Sequence, residues 1–306
     1  MPATTGMLLF RRDFQGLTGG HLKVWHYYRH AFESHRFAPR VFLTPGSVRG
    51  PANPWCDDAR PPLDTWDPAA ASALFVAGLD WIDVPDPCPV PVINLVQGVR
   101  HAVANDPRRP FLGRPAIRIC VSGEVADAIR GTGEVNGPVH VIPNGLDRGD
   151  LPVVSRERDL DVVVAGIKNP ALARNVAHEL AADGLRVECL LDPLPRGEFL
   201  ARLGRAKVAV TLPLDREGFY LPALEAMALG CLVVCPDCVG NRGFCRDGET
   251  AFRPAATVDG IVAAVRAAIA VGGAAGEAMR AAAVAEVERH GLDRERRAFL
   301  EILDGV

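Results

Sequence analysis

Two glutamates eight positions apart mark the segment of this sequence with the richest chemistry. The segment REGFYLPALEAMALGCLVV runs from Arg216 to Val234 and contains Glu217 and Glu225. Pro222 suits the first turn of a helix, because its missing N–H would have no intrahelical partner there. Glu217 is therefore predicted in a loop and Glu225 one turn into the helix, so the two carboxylates flank a helix N-terminus.

The turn between these acids could bind a ligand through its backbone. The N–H groups of Gly218, Phe219 and Tyr220 could donate to the oxygens of a diphosphate or a sugar, close to a helix end that favours anions. The carboxylates would repel a diphosphate, but they can accept hydrogen bonds from neutral hydroxyls. A nucleotide sugar offers such hydroxyls at both ends. The simpler alternative is that the acids only stabilise the helix dipole.

Short apolar runs bounded by glycine and proline indicate the strands that must position this loop. Those of the first half are MLLF, RVFLT, ALFVAG, VPVINLV, IRICVS and VHVIPNG, and those of the second half are DVVVAG, RVECLL, KVAVTLP and CLVVCP. Helices are predicted near NVAHELAADG, RGEFLARLG and LPALEAMALG. This alternation is typical of doubly wound α/β folds. Ligands of such sheets bind outside the carboxyl ends of strands. The strand KVAVTLP ends there and leads into the loop that carries Glu217 and ends at Tyr220, which we call the acidic loop.

Two domains are predicted from the length of 306 residues and from the repeat of the pattern. The segment NGLDRGDLPVVSRERD after Val141 is rich in turn formers and charge, as linkers are. We place the boundary near Leu151, with one α/β domain over 1–150 and a second over 151–306. The last helix could return to pack on the first domain. The alanine-rich region Val258 to Glu288 predicts helices broken at Gly272 and Gly273.

Charge and hydropathy exclude several classes of protein. A net charge of -3 without a long basic stripe argues against a nucleic-acid partner. The run MLLF is too short for the core of a signal peptide, and Arg11, Arg12 and Asp13 interrupt it. No uncharged apolar run reaches the roughly 18 residues that span a bilayer. We expect a cytoplasmic protein, with room for peripheral contact at the inner membrane surface.

Clustered cysteines and acids raise the question of a metal. The run CLVVCPDCVGNRGFC contains Cys235 and Cys238 in a CxxC, flanked by Cys231 and Cys245, a pattern for which zinc must be considered. The apolar LVV favours buried reduced thiols instead. The acids of DLD, Asp159 to Asp161, precede a strand, whereas a metal-holding acid pair beside a nucleotide should follow one. No metal site is expected.

The sequence resembles the retaining glycosyltransferases of family 4, which have the GT-B architecture. Their pattern EGFxLPxLEAMAxGxxVV is matched at nearly every position by EGFYLPALEAMALGCLVV, and VIPNGLD, ICVSGEVADAIR and RDGETAFRP are similar to further family segments. The resemblance covers roughly Arg114 to Pro254 well and the N-terminal third weakly. It implies an α/β fold of two Rossmann-like doubly wound domains that face each other across a cleft. The domain over 1–150 would lie on the acceptor side, and the domain over 151–306 would bind the nucleotide sugar.

The resemblance also implies roles for the acidic loop. Glu225 would accept hydrogen bonds from the ribose hydroxyls of the nucleotide, and Glu217 would face the hydroxyls of the donor sugar. The backbone amides of Gly218, Phe219, Tyr220 and Leu221 would meet the sugar and the distal phosphate.

A second segment, AGIKNPALARNVAHEL, resembles the family's glycine, arginine and lysine segment that clamps the diphosphate. The glycine is Gly166. Ile167 stands where the family usually has an arginine, so we assign the cations to Lys168 and Arg174. An alternative is that both are solvated side chains on a helix.

In the first domain, the family places a Gly-Gly loop near donor and acceptor. GLTGGHLKVWHYYRH makes Gly19 and Gly20 the candidates, with an ordinary tight turn as the alternative. His21 and Lys23 are candidates for recognising an anionic acceptor, or they are surface residues.

A departure from the family follows the strand in VINLVQGVRHAV. Many relatives have a histidine directly after this strand, whereas this chain has Gln97, which could bond a sugar hydroxyl. His101 is a candidate to reach the cleft, although a solvated histidine at the start of a helix is the favoured interpretation.

The implied activity is transfer of a hexose or related sugar from a nucleoside diphosphate to an acceptor hydroxyl, with retention and without cofactor or metal. The acceptor would be a glycan, a lipid-linked molecule or a small molecule. The alternatives are a nucleotide-sugar epimerase or hydrolase of the same fold and a non-catalytic nucleotide-sugar-binding subunit. A nicotinamide dehydrogenase is disfavoured, because GLTGG lacks the GxGxxG spacing.

Overall fold

The chain folds into two compact units, each built around one parallel sheet. The computed structural model describes residues 5–56, 58, 60–155 and 157–306. Of these residues, unit 1 comprises those of 5–144 and 293–306, and unit 2 comprises those of 145–292. Every strand predicted from an apolar run is present, which confirms the predicted α/β pattern.

Unit 1 contains a six-stranded parallel sheet with the order β2-β1-β3-β4-β5-β6. The strands are β1 (Gly6–Arg12), β2 (Phe37–Leu43), β3 (Ala73–Ala77), β4 (Val92–Val96), β5 (Ile117–Cys120) and β6 (Val139–Val141), and the helices among them are α1 (Gly19–Ala31) and α2 (Gly123–Arg130). The connection from β3 to β4 holds only the 3-10 helix Gly78–Asp83, and that from β4 to β5 only the 3-10 helices Val99–Ala102 and Arg109–Gly113.

Unit 2 contains a four-stranded parallel sheet with the order β10-β9-β7-β8. Its strands are β7 (Leu160–Ala165), β8 (Val187–Leu190), β9 (Ala206–Thr211) and β10 (Leu232–Val234), and its helices are α3 (Pro170–Ala182), α4 (Arg196–Gly204), α5 (Leu221–Ala228), α6 (Val258–Ala270) and α7 (Gly273–Arg289). Val163 packs in one apolar cluster and Val162 and Val164 in another, so both faces of the sheet are buried. Because β7 pairs with β9 with Ala165 opposite Thr211, the loops after these strands begin at one edge.

The boundary between the units lies earlier than the predicted Leu151. Gly145 begins unit 2, and the Leu146 side chain is buried in the core that holds Val163. The Leu146 N–H also donates to the His290 carbonyl at 2.7 Å. The charged residues that suggested a linker therefore follow the boundary. Arg156 of that predicted linker lies outside the described residues.

The last helix, α8 (Leu292–Asp304), packs on α1 within unit 1 through a buried charge cluster. Lys23 Nζ lies 2.5 Å from one Glu295 carboxylate oxygen, and His30 Nε2 lies 3.0 Å from the other. The rings of Tyr27 and Phe299 meet edge to face at 4.8 Å. Lys23 is fully buried, so its expected role with an anionic acceptor, and its alternative as a surface residue, are both wrong.

Gly240 fixes the loop between β9 and α5 by a close backbone approach. A Cβ at this position would lie 2.6 Å from the Phe219 backbone nitrogen and 2.8 Å from the Glu217 carbonyl oxygen. The Gly240 carbonyl accepts a 2.9 Å hydrogen bond from the Tyr220 N–H. The segment after β10 therefore packs against the backbone of the acidic loop and holds it in place.

The predicted break at Gly272 and Gly273 separates α6 from α7, and Gly273 has a positive φ of 55°. In the described part of the chain, no one helix combines the length and apolar character needed to cross a membrane. The pair α6 and α7 meets those two criteria only jointly, and it is bent by 113°.

We predict that Glu295→Gln destabilises the fold by about 3–5 kcal/mol, because it leaves the Lys23 ammonium buried without its carboxylate. Denaturant unfolding measures the change. Asp293→Asn, on the exposed first turn of the same helix, is the control and should cost less than about 1 kcal/mol. Burial raises the pKa of Glu295, but the Lys23 charge and the His30 hydrogen bond outweigh it and hold that pKa below its ordinary value.

The sign of the pH dependence follows from this lowered pKa. The stabilisation by Glu295 is complete above the unfolded-state pKa of about 4.3 and is lost as the pH falls through the folded-state pKa. The difference between wild type and Glu295→Gln should therefore shrink in acid. A difference that stays constant from pH 7 to pH 3 would contradict the charged pair.

Gly240→Ala should destabilise the protein by about 1–3 kcal/mol, because the new methyl group must displace the Phe219 backbone. Gly243→Ala is the matched control, since a Cβ at that position meets nothing within 4 Å. Thermal unfolding of the two variants tests the close approach. Equal melting temperatures would show that the loop yields without cost.

Candidate functional site

Lys168 and Glu217 form an ion pair at the carboxyl edge of the unit 2 sheet. Lys168 follows β7 and Glu217 follows β9, and Lys168 Nζ lies 2.5 Å from Glu217 Oε1. The Lys168 ammonium also lies 5.4 Å from the centre of the Tyr220 ring. The Lys168 side chain is 41% exposed and that of Glu217 is 17% exposed. The pair therefore presents a cation and a carboxylate to solvent beside each other.

Gly166 and Asn169 position Lys168 between β7 and α3. A Cβ at Gly166 would lie 2.0 Å from the Ala173 Cβ, so only glycine lets the helix pack this close to the strand end. The Asn169 side chain caps α3 by accepting a hydrogen bond from the Leu172 N–H. The role of Gly166 in binding the donor, which the resemblance implies, stays a prediction.

Glu225 is buried in α5 and is paired with Arg196, the first residue of α4. Arg196 Nη1 donates to Glu225 Oε1, and Arg196 Nε lies 4.0 Å from an Asp150 oxygen. No hydrogen bond to Glu225 Oε2 occurs among the residues described. Sequence reasoning missed Arg196. The available signal was a cation at the loop after β8, which ends at the same sheet edge as β7 and β9.

The backbone N–H groups of the acidic loop differ in whether they are free to donate to a ligand. The Tyr220 N–H is engaged by the Gly240 carbonyl, so the expectation that it is free for a ligand is wrong. The N–H groups of Gly218 and Phe219 make no hydrogen bond within the described ranges. Leu221 is the first residue of α5 and is buried. Burial, with several neighbouring acidic groups, raises the pKa of the Tyr220 phenol well above its ordinary value.

Arg174 makes no contact with the Lys168–Glu217 ion pair. It is exposed on α3, and no hydrogen bond or ion pair joins it to another described residue. The structure brings together Lys168, Glu217 and Tyr220 but does not add Arg174 to them. Its assignment to the diphosphate stays a prediction.

In unit 1, Gly20 and Gln97 are in contact at the carboxyl edge of the sheet. Gly19 and Gly20 begin α1, which Thr18 caps. Gln97 follows β4 and donates from Nε2 to the Gly20 carbonyl at 3.1 Å. A Cβ at Gly20 would lie 3.3 Å from Gln97 Oε1, so the small residue allows the amide to approach. The Gly-Gly segment is the start of a helix, not a free loop.

His21 lies against a buried arginine. Its Nδ1 is 2.9 Å from Arg12 Nη2, and Arg12 also forms an ion pair with the buried Asp80. Burial and the Arg12 charge lower the pKa of His21 to about 4. His21 is therefore neutral at pH 7 and supplies no positive charge for an anionic acceptor.

His101 is buried in the 3-10 helix Val99–Ala102, which packs against α2. The favoured interpretation of a solvated histidine is wrong, because this short turn directs the residue into unit 1. Burial, followed by the charges of Arg108 and Arg100, lowers the pKa of His101 to about 3. The side chain is a neutral polar group inside the unit.

The cysteines that the sequence suggested as metal ligands are free thiols, and the two acids are paired with basic side chains. All eight cysteines are free, and Cys231, Cys235, Cys238 and Cys245 are buried. Across the described ranges, no group of three or more His, Cys, Asp or Glu side chains is arranged to hold a metal ion. Asp159 and Asp161 lie at the start of β7. Asp159 pairs with Arg205, and Asp161 pairs with Arg186 and Lys207.

Part of unit 2 is similar to a known family of sequences. Residues 150–270 match the family described as glycosyl transferases group 1. A segment of 113 residues is 36% identical to the D-inositol 3-phosphate glycosyltransferase of Rhodococcus erythropolis. This match covers 35% of the present chain and 26% of the relative, so the chain spans about a quarter of that relative's length.

The similarity to solved structures extends over nearly the whole chain. HepE of Anabaena, solved in complex with UDP-glucose, has a TM-score of 0.76 at 13% identity and covers 98% of this chain and 100% of its own. Sucrose-phosphate synthase of Thermosynechococcus elongatus has a TM-score of 0.71 at 13% identity, covering 98% of both chains. The chain thus has the two-domain α/β fold of GT-B glycosyltransferases, and its residues 150–270 match the group 1 glycosyl transferases.

Proposed function

We propose that this protein is a retaining glycosyltransferase that moves a sugar from a nucleoside-diphosphate sugar to an acceptor hydroxyl. The observation that carries the proposal is the pairing of Lys168 with Glu217 at the carboxyl ends of two adjacent strands, beside the buried Glu225. The match of residues 150–270 to group 1 glycosyl transferases supports it, as does the UDP-glucose complex of the similar HepE fold.

Glu225 is suited to hold the nucleotide. Arg196 bonds its Oε1, and a carboxylate has about four lone-pair sites, so Oε2 can still accept hydrogen bonds from a ribose diol. Arg196 also pairs with the buried carboxylate and holds it in one orientation. We therefore assign Glu225 to the ribose and Arg196 to positioning Glu225.

Lys168 and the loop amides are suited to the diphosphate. In the proposed reaction, the bond from the anomeric carbon to the diphosphate oxygen breaks and the acceptor oxygen bonds to the same face of that carbon. The acceptor proton passes to the departing phosphate oxygen. The diphosphate gains charge in this step, so the Lys168 ammonium and the Gly218 and Phe219 N–H groups stabilise the transition state more than the substrate.

Glu217 would then exchange partners when the donor binds. Its ion pair with Lys168 is partly exposed and costs little to open. Once Lys168 turns to the diphosphate, the Glu217 carboxylate is available to accept hydrogen bonds from the sugar hydroxyls. The proposal also includes turnover without a divalent metal and a cytoplasmic location, as expected from the sequence.

The proposal is tested with a panel of UDP-, GDP- and ADP-sugars, each incubated with and without candidate acceptors and with EDTA. Glycosylated product that forms only with acceptor, with unchanged anomeric configuration and in EDTA, is the expected result. Release of free sugar without acceptor would indicate a hydrolase. Binding of nucleoside diphosphate with no turnover would indicate a binding subunit.

Glu225→Gln should weaken the binding of free nucleoside diphosphate by about 1.5–3 kcal/mol, because the ribose loses a charged acceptor. Glu217→Gln should leave that affinity nearly unchanged and lower the turnover of the sugar donor. Glu198→Gln, on the exposed face of α4, is the control. Calorimetry measures the three affinities, and equal losses for the two site variants would contradict the division of roles.

Lys168→Ala and Arg174→Ala should each lower turnover by about 10²- to 10³-fold if both cations meet the diphosphate. The double variant should then fall short of the product of the single effects, because the two charges share one ligand. Lys207→Ala, at the amino end of β9, serves as the control cation. A silent Arg174→Ala beside an impaired Lys168→Ala would remove Arg174 from the site.

A further inference from the structure

Arg196 has an unused donor beside the carboxylate that we assign to the ribose. It is the first residue of α4, and its Nη1 donates to Glu225 Oε1. Its Nη2 makes no hydrogen bond within the described ranges and, unlike the enclosed Nε, keeps surface that solvent can reach. The side chain as a whole is 21% exposed. A ligand can therefore reach Nη2 while Nη1 stays bonded to Glu225.

The second oxygen of Glu225 is open in the same way. Oε2 is not enclosed, although the Glu225 side chain as a whole is only 3% exposed. Asp150 has an oxygen 4.0 Å from Arg196 Nε, which is beyond hydrogen-bond distance. Asp150 therefore leaves Nη2 unoccupied. One ion pair thus presents an open acceptor, Oε2, and an open donor, Nη2, on neighbouring side chains.

The order of the strands sets the direction in which a nucleotide would lie. Lys168 and Glu217 follow the central strands β7 and β9, whereas Arg196 follows β8 at the edge of the sheet. A nucleoside diphosphate consists of diphosphate, ribose and base, in that order. With the diphosphate at Lys168 and the ribose at Glu225, the base extends past the ribose on the side of Arg196.

Nucleotides differ at the edge of the base that lies beside the ribose 2′-hydroxyl. In a double helix this edge faces the minor groove, where uracil, like thymine, presents the carbonyl oxygen O2, adenine presents the ring nitrogen N3, and guanine adds an N2 amino donor. A guanidinium has five N–H donors and no acceptor. It can therefore bond uracil O2, whereas the guanine amino group would oppose one donor with another.

We propose that Arg196 recognises the base of the donor at this edge and selects a uridine diphosphate sugar over a guanosine diphosphate sugar. Nη2 donates to uracil O2, Nη1 holds Glu225, and Glu225 Oε2 accepts from the ribose hydroxyls. The hydrogen bond to O2 is charge-assisted and therefore stronger than a neutral one. This role rests on the proposed function, because it requires the nucleotide of the donor at Glu225.

Calorimetry with free UDP, GDP, 2-thio-UDP and 4-thio-UDP tests this role on the full chain. 2-Thio-UDP carries sulfur, a weak acceptor, in place of O2, and 4-thio-UDP carries it at a position away from the ribose. We expect UDP to bind about tenfold more tightly than GDP or 2-thio-UDP, because each lacks the charged hydrogen bond at O2. 4-Thio-UDP should bind about as tightly as UDP.

Arg196→Lys separates base recognition from support of Glu225. Lysine keeps a cation beside Glu225 but loses the planar fork that can bond two acceptors, so the preference for UDP over 2-thio-UDP should disappear. An effect on Glu225 alone would weaken all four nucleotides by the same factor and leave that preference in place. Arg202→Lys is the matched control and should keep the preference, because Arg202 lies in the same helix and pairs with Glu188 and Glu198.

The possible outcomes separate this role from the proposed function. No binding of any nucleoside diphosphate would contradict the donor site and the role of Arg196 together. Binding of UDP with no preference over 2-thio-UDP, or with an unchanged preference in Arg196→Lys, would overturn the base recognition alone. GDP binding as tightly as UDP would also overturn it. Melting curves establish that the variants are folded, and the wild-type comparison of 2-thio-UDP with 4-thio-UDP decides the question if Arg196→Lys does not fold.

Discussion

The parallel pairing of β7 with β9 is the constraint on which the candidate site of unit 2 depends. Both strands are central in a sheet that is covered by apolar clusters on both faces, so their register is strongly specified. Their carboxyl ends lie side by side as a result. Lys168 and Glu217, which are 49 positions apart in the chain, meet because each follows one of these ends. A slip of the pairing by one residue would separate the charges and exchange the side chains that pack on the two faces of the sheet.

Close backbone packing then fixes the loops that leave these strands. At Gly166 and Gly240 a single methyl group would collide with a neighbouring segment. The first contact holds the start of α3 against β7, and the second holds the acidic loop against the segment after β10. The site is thus built on rigid support, while the ion pair at its surface is exposed enough to exchange partners. This combination suits a site that must bind a charged ligand without refolding.

Buried charge has a different role in unit 1. Lys23, His30 and Glu295 join α1 to α8 inside the unit, so a residue from the end of the chain completes a cluster near its beginning. Arg12 and Asp80 form another buried pair, and burial together with the Arg12 charge lowers the pKa of His21. These charges hold elements together and are shielded from solvent. At the carboxyl edge of this unit, His21 is neutral at pH 7 and the Gln97 amide donates to the α1 backbone.

The sequence by itself determined the order of strands and helices, the break between α6 and α7, and the loop that carries Glu217, because apolar runs, proline and glycine act locally. It also predicted that a ligand would bind at the carboxyl edge of the unit 2 sheet, because ligands of parallel sheets bind there. Only the tertiary structure decided which charged side chains and which backbone groups are paired. Arg196 meets Glu225, Gly240 engages the Tyr220 amide, and Lys23 is buried against Glu295, and each partner comes from a distant segment. Burial and charge pairing depend on what the fold brings nearby, which local pattern does not contain.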